Sequence, residues 1–312
     1  MSGYATATAS LRGVLPVFQT PFHEDGSIDH ESLLAEIDWI LEQGASGVVM
    51  GMVSEVLRLT TDERNDVATH VCAHVRERAP VVIAIGAESS YVAQQHARAA
   101  EEAGAAGLMA APPVATAAGE ADLRAYFSGI LDAVDVPLVV QDASGYVGAP
   151  LSMDLQAGLL DEYGTRVLFK PEAEPLGSNL SALRDATSGR ARIFEGSGGI
   201  ALVDAYRRGI VGTMPGAEVC WAIVALWQAL EAGDQARIDA INGPLAGLIT
   251  LQSGLDGYLA VEKHLLVRQG VIPRATIRGP VAFHLDHETR EEVDRLFDLL
   301  AAAVTRTADG HL

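Results

Sequence analysis

Lysine is nearly missing from this chain. Only Lys170 and Lys263 occur in 312 residues, and the remaining basic residues are all arginine. Positive charge is scarce as a whole: 22 Lys and Arg stand against 41 Asp and Glu, a formal net charge of −19. Such a surface repels phosphate backbones, so nucleic acid is excluded as a partner. Cys72 and Cys220 are the only cysteines. They offer neither a disulfide framework nor a metal-ligand spacing, which fits a reducing, cytoplasmic setting. The opening MSGYATATAS has no basic start and no apolar core, so it is not read as a secretory signal. No apolar run approaches the roughly 18 residues of a membrane span, so no membrane contact is expected. No GxGxxG or Walker sequence follows any apolar run, and the nine histidines show neither HxH nor HExxH spacing. No cofactor and no metal are therefore expected, and His23, His96 and the other histidines are read as surface residues.

What the chain does have is rhythm. Eight short apolar runs recur: GVLPVF (13–18), GVVMGM (47–52), VVIAIGA (81–87), GLMAAP (107–112), PLVVQD (137–142), RVLFK (166–170), ARIFEG (191–196) and GIVGTM (209–214). Short runs rich in Val and Ile suit parallel strands buried on both faces. Amphipathic segments separate them. SIDHESLLAEIDWILEQGA carries apolar residues at helical spacing and a stop at Gly44. LTTDERNDVATHVCAHV opens with Thr60 and Glu63 in capping-box spacing. Strand and helix in eightfold alternation point to an α/β fold of the (β/α)8 TIM-barrel type. The strand signal ends after residue 214. Residues 1–231 are read as the barrel and 232–312 as a C-terminal helical extension. The helix around 217–231, with Trp221 and Trp227, is a candidate subunit interface.

Lys170 stands where one apolar run stops. In a barrel, the C-terminal strand ends form the active site. Desolvation there favours a neutral amine, and a neutral amine attacks a ketone to form a Schiff base. The protonated imine acidifies the neighbouring carbon, which permits aldol cleavage, aldol addition or loss of a β-hydroxyl. The plainer alternative is a lysine that reaches solvent or pairs with Glu172. Lys263 falls in a helical pattern beside Glu262 and is read as exposed. Residues i and i+2 of a strand face one side, so Lys170 and Glu172 should both face the barrel mouth, with Phe169 and Pro171 turned to the helices.

From about residue 11 to about 300 the chain resembles the dihydrodipicolinate synthase and N-acetylneuraminate lyase superfamily of Schiff-base aldolases and dehydratases. GVLPVFQTPFHEDGSID resembles its first strand and loop. GMVSE (51–55) stands for GTTGE, LRLTTDER carries L-T-x-x-E-R, AAPPVA stands for PPYY, PLVVQDASGYVG stands for the YNxP region, VLFKPE carries the imine lysine, and GIVGTMPG resembles the glycine-rich eighth strand. The resemblance implies a barrel with a helical extension, a homotetramer or homodimer, a 2-oxo acid substrate and Lys170 as the imine former.

The departures are informative. Gln141 stands where the family has its proton-relaying tyrosine, and an amide does not titrate. Met52 and Val53 replace the hydroxyl pair, Ser54 keeps one hydroxyl shifted by a residue, and Val114 and Ala115 replace the PPYY tyrosines. QDA resembles the 2-keto-3-deoxy sugar acid dehydratase branch. Glu172 is the candidate replacement for the relay, as base or as a partner that orients Lys170; Asp142 and Glu195 rank behind it. Gln141 is expected to donate to a substrate hydroxyl. A substrate carboxylate is expected in the 51–55 turn, on backbone N–H groups of Gly51 and Val53 with the Ser54 hydroxyl. Gly196, Gly198, Gly199 and Gly212 would admit close backbone approach. Arg58 lies nearby and is read as facing a neighbouring subunit. The expected activity is a cofactor-free lyase that dehydrates a 2-keto-3-deoxy sugar acid. Retro-aldol cleavage to pyruvate, and a non-catalytic 2-oxo acid binder, stay open as alternatives.

Overall fold

The computed structural model describes residues 11–145 and 148–308. The N-terminal stretch 1–10, with its leader reading, and Tyr146 and Val147 of the 137–148 motif lie outside them. Eight strands follow in chain order: β1 (Gly13–Val14), β2 (Val48–Met50), β3 (Val81–Ala84), β4 (Gly107–Ala110), β5 (Leu138–Asp142), β6 (Val167–Pro171), β7 (Phe194–Glu195) and β8 (Gly212–Thr213). Every one falls inside one of the eight apolar runs, save that β6 reaches one residue further, to Pro171. The hydrogen-bonded strands are shorter than the runs because several runs continue into the loops above the ring.

All pairings are parallel. β2 to β6 form one continuous sheet, and β7, β8 and β1 form a second. Single parallel bridges at Val17–Val49 and Phe169–Ile193 join the two. These bridges close the ring, so the sheet has no free edge.

Helices α1 (His30–Glu42), α2 (Thr61–Val75), α3 (Ser90–Glu102), α4 (Glu120–Ala133), α5 (Met153–Tyr163), α6 (Leu176–Ala186), α7 (Leu202–Arg207) and α8 (Cys220–Ala232) follow the eight strands in turn. Their starts are capped as the sequence implies. The Asp29 side chain accepts from Ser32 N at 3.0 Å. Thr60 and Glu63 form the reciprocal box at the head of α2, with Glu63 N donating to Thr60 Oγ1 at 3.2 Å. Gly44, at φ +87°, ends α1 in the left-handed region that glycine enters without strain.

Side chains alternate across the ring, and two cores result. Val49, Val82, Met109, Val139, Leu168 and Phe194 pack inside the barrel. Val48, Met50, Ile83, Leu108, Val140 and Phe169 pack outward against the helices. This alternation sets the site: above Val139 and Leu168 on the inner face come Gln141 and Lys170, paired with each other in register.

Three helices follow the barrel: α9 (Gln235–Ile249), α10 (Gly254–Arg268) and α11 (His287–Ala308). α9 packs on α8 and α11, while α10 packs on the Met52–Ser54 turn at the barrel mouth. Among the described residues, no helix is long and apolar enough to cross a membrane. The α8 face read as a subunit interface is used inside the chain. Trp227 is buried edge-to-face on Tyr206. Trp221 packs on Phe297 of α11 and donates to Gln269 Oε1 at 3.0 Å.

Candidate active site

β6 delivers Lys170 and Glu172 to the same side of the ring. The ladder continues past Pro171, because Glu172 N donates to Asp142 O at 2.9 Å. Lys170 Nζ then lies 2.9 Å from Glu172 Oε1. Gln141 Nε2 donates to the other carboxylate oxygen, Glu172 Oε2, at 2.7 Å. Both charged side chains are almost wholly buried. Burial pushes the Glu172 carboxyl above the usual range, and nearby Glu195 adds to this; Lys170 and the Gln141 bond pull it back. A carboxyl held this way takes up and gives back protons more readily than an exposed one. Gly196 lies against the pair: a Cβ there would meet Lys170 Cε at 2.6 Å and Glu172 Oε1 at 2.7 Å.

These groups line a pocket of about 410 Å³. Val17, Met52, Val53 and Met214 form apolar wall, Gly196, Gly198 and Gly216 supply backbone, and Leu255, Tyr258 and Glu262 come from α10. A second hollow of about 400 Å³ shares Met52 and Gln141 with it and extends toward Arg64 and Glu88.

Gln141 lines the pocket and gives one amide N–H to Glu172. Several expectations need correction. Val53 and Gly196 line the pocket; Gly51, Ser54 and Gly212 do not. The Ser54 hydroxyl is buried and donates to Phe18 O at 2.5 Å while accepting from Gly51 N at 3.0 Å. It braces the turn, and its one proton is spent on Phe18 O, so it has none to donate to a carboxylate. Gly212 is where β8 pairs with β1: a Cβ there would strike the backbone of Gly13 and the Phe194 ring. Asp142 is committed to Ser144 and Leu151 N. Glu195 is committed to Ser197 and Thr213. Arg58 binds Asp256 of the same chain at 2.5 Å. Val114 N and Ala115 N donate to Glu88, at 2.8 Å for the first.

Lys263 is fully buried. It pairs with Glu55 and donates to Thr20 O at 2.8 Å and Thr276 O at 2.7 Å. His96 is buried too. It contacts Asn65 Oδ1 at 3.0 Å, and burial beside Arg64 pushes its imidazole down to about 4, so it is neutral at ordinary pH. Among the described residues, His30, Asp66 and His70 bring ligand-capable atoms within 4.8 Å of one another on the surface of α1 and α2.

The barrel and its sequence have known relatives. Residues 10–299 match the Dihydrodipicolinate synthetase family. The chain belongs to that family. It is 28% identical to the L-2-keto-3-deoxyarabonate dehydratase of Azospirillum brasilense, over 97% of this chain and 99% of the relative. It is 29% identical to the 4-hydroxy-tetrahydrodipicolinate synthase of Azoarcus sp. strain BH72, over 76% of this chain and 82% of the relative. The crystal structure of dihydrodipicolinate synthase from Rhodopseudomonas palustris superposes with a TM-score of 0.82 at 27% identity, covering 93% of this chain and 98% of that one. As a member of the dihydrodipicolinate synthetase family, the protein is a Schiff-base enzyme of the lyase–aldolase type.

Sequence reasoning missed the α10 contribution to this family member's pocket. The signal was present. Tyr258 and Glu262 are four residues apart, with Leu255, Leu259 and Leu266 at compatible helical spacing. An acid on an apolar helical stripe is a candidate buried group.

Proposed function

We propose that the protein dehydrates a 2-keto-3-deoxy sugar acid through an imine on Lys170. The observation that carries this reading is the 2.9 Å contact of Lys170 Nζ with Glu172 Oε1 at the pocket floor. Glu172 accepts a proton from the ammonium, and the freed amine adds to the C2 carbonyl. Glu172 returns that proton to the carbinolamine hydroxyl, which leaves as water and gives the iminium. Glu172 then removes a C3 proton, and the resulting enamine expels the C4 hydroxyl. Hydrolysis of the unsaturated iminium releases product and restores Lys170. The iminium is the electron sink, so no cofactor enters the scheme. Gln141 holds the carboxylate toward the lysine. The substrate's own carboxylate is assigned to backbone N–H groups at Met52 and Val53.

Dehydration is favoured by the near full-length similarity to a 2-keto-3-deoxy sugar acid dehydratase. It is favoured also by Gln141, Val114 and Ala115, which leave no tyrosine at the positions of the family's relay. The similarity to synthases keeps one second reading: retro-aldol cleavage, in which the same imine forms and the proton is taken from the C4 hydroxyl. The division into a catalytic barrel, 1–231, and a helical extension, 232–312, belongs to the same proposal. So do a homodimer or homotetramer and a cytoplasmic location, which suits two free, buried cysteines.

A panel of 2-keto-3-deoxy pentonates and hexonates decides between these chemistries. Substrate loss without pyruvate supports dehydration. Equimolar pyruvate release would establish the aldolase instead. Pyruvate bound as an imine, with no acid consumed, would leave a binder.

A further inference from the structure

A second acid lines the Lys170 pocket. Glu262 of α10 lines the pocket although its side chain is almost wholly buried. Gly216 allows it to approach: a Cβ on Gly216 would meet Glu262 Oε1 at 2.5 Å and would also strike Glu218 Oε2. Gly196 plays the matching part over Lys170 and Glu172. Two glycines beyond β7 and β8 thus let these carboxyl groups come close to the backbone. Glu262 Oε2 accepts from Gln19 Nε2, so Oε1 is the oxygen on the Gly216 side.

Behind Glu262 lies a region with too many acceptors. Glu36, Glu218, Gln19 and Gln252 are all buried there. Gln19 N donates to Glu36 Oε1 at 2.8 Å, and Gln252 Nε2 donates to Glu218 Oε1 at 2.8 Å. Gln19 Oε1, Glu36 Oε2, Glu218 Oε2 and Gln252 Oε1 have no donor. A buried acceptor without a donor is costly, and a carboxyl that keeps its proton becomes one. Lys263, the cation beside the group, is taken by Glu55.

We propose that Glu262 is a further catalytic residue, the acid that protonates the hydroxyl leaving C4. The inference rests on the dehydratase reading above and divides its proton traffic. Glu172 takes the C3 proton. The C3–H electrons form the enamine, the C4–O bond breaks, and the Glu262 proton leaves with the hydroxyl as water. Glu262 recovers a proton from Glu172 through pocket solvent, so the net change is one water lost. Its surroundings suit the role: burial raises the Glu262 carboxyl well above the ordinary range, Glu218 and Glu36 raise it further, and Lys263 and the Gln19 bond oppose them.

The test compares two leaving groups in Glu262→Gln. With 2-keto-3-deoxyarabonate, kcat should fall about 10²-fold, the usual worth of a general acid. With its 4-deoxy-4-fluoro analogue, whose fluoride leaves without a proton, kcat should stay within about threefold of wild type, since the lost term is protonation alone. Pyruvate methyl exchange in D2O reports the imine and the base: Glu262→Gln should retain it and Glu172→Gln should lose it. Retained exchange also shows that the variant's site is folded. Should Glu262→Gln fail to fold, Glu262→Asp keeps the acid at shorter reach, and it should slow the hydroxy substrate more than the fluoro one. Equal effects on both substrates, or unchanged turnover of the hydroxy substrate with exchange intact, overturn the inference alone. Absence of exchange in the wild-type protein overturns the imine reading and this inference with it.

Discussion

Glu172 meets the Lys170 ammonium with one oxygen and the Gln141 amide with the other. The two contacts act in the same direction, toward the ionised carboxylate, against burial. Glu172→Gln keeps the shape and removes the titratable group. Its turnover should fall about 10²-fold or more while pyruvate is still trapped by borohydride; near wild-type turnover would place the base elsewhere. Gln141→Ala removes a bond that favours the carboxylate, so the Glu172 carboxyl rises further. The acid limb of the pH–rate profile should then move to higher pH, and an unmoved or lowered limb would contradict this. Lys170 and Glu172 were legible because strand period alone fixes their common face. The Ser54 hydroxyl was not: its partners, Phe18 O and Gly51 N, depend on how the turn folds back on β1, which residue spacing does not encode.

At the scale of elements, strand order and helix caps were readable because they are local. Thr60 and Glu63 are three residues apart and satisfy one another. Lys263 shows the limit. Its partner Glu55 is distant in sequence, and Glu55 sits in a left-handed turn at φ 58° between two short 3-10 segments. A charged residue on a helix is exposed by default, and only the docking of α10 on the barrel mouth overrules this. The pair ties the extension to the turn after β2. Lys263→Ala leaves buried Glu55 with only the longer 3.8 Å ion pair to Arg58 and should cost roughly 3–5 kcal/mol in urea unfolding. Adding Glu55→Gln should recover part of that loss; a neutral single variant would show that α10 does not depend on the pair.

For the whole molecule, the net charge of −19 understates how acids are disposed. Glu36 is fully buried and pushed up to about 8 by that burial; Glu172, Glu218 and Glu262 are raised as well. A carboxyl raised on folding binds its proton more tightly in the native state. Its contribution is complete below the unfolded value near 4.5 and is lost as pH rises through the folded value, for Glu36 about 8. Glu63, lowered to about 2 by Arg278, works the other way: its contribution is full above about 4.5 and is lost as pH falls from there to about 2. Unfolding free energy should therefore decline from about pH 5 to about pH 8, and Glu36→Gln should flatten the slope. A rising slope, or one that Glu36→Gln leaves unchanged, would contradict this. Assembly was the least legible property, because the apolar face of α8 is spent inside the chain. Light scattering should still find a dimer or tetramer at micromolar concentration, and a stable monomer would count against it.

The central claim is a covalent bond at one of two lysines. The protein is treated with pyruvate and borohydride, digested with trypsin and weighed peptide by peptide. The reduced adduct should add mass to the peptide containing Lys170 and to none containing Lys263, and Lys170→Ala should be blank. An unlabelled wild-type protein, or label that persists in Lys170→Ala, would contradict the account.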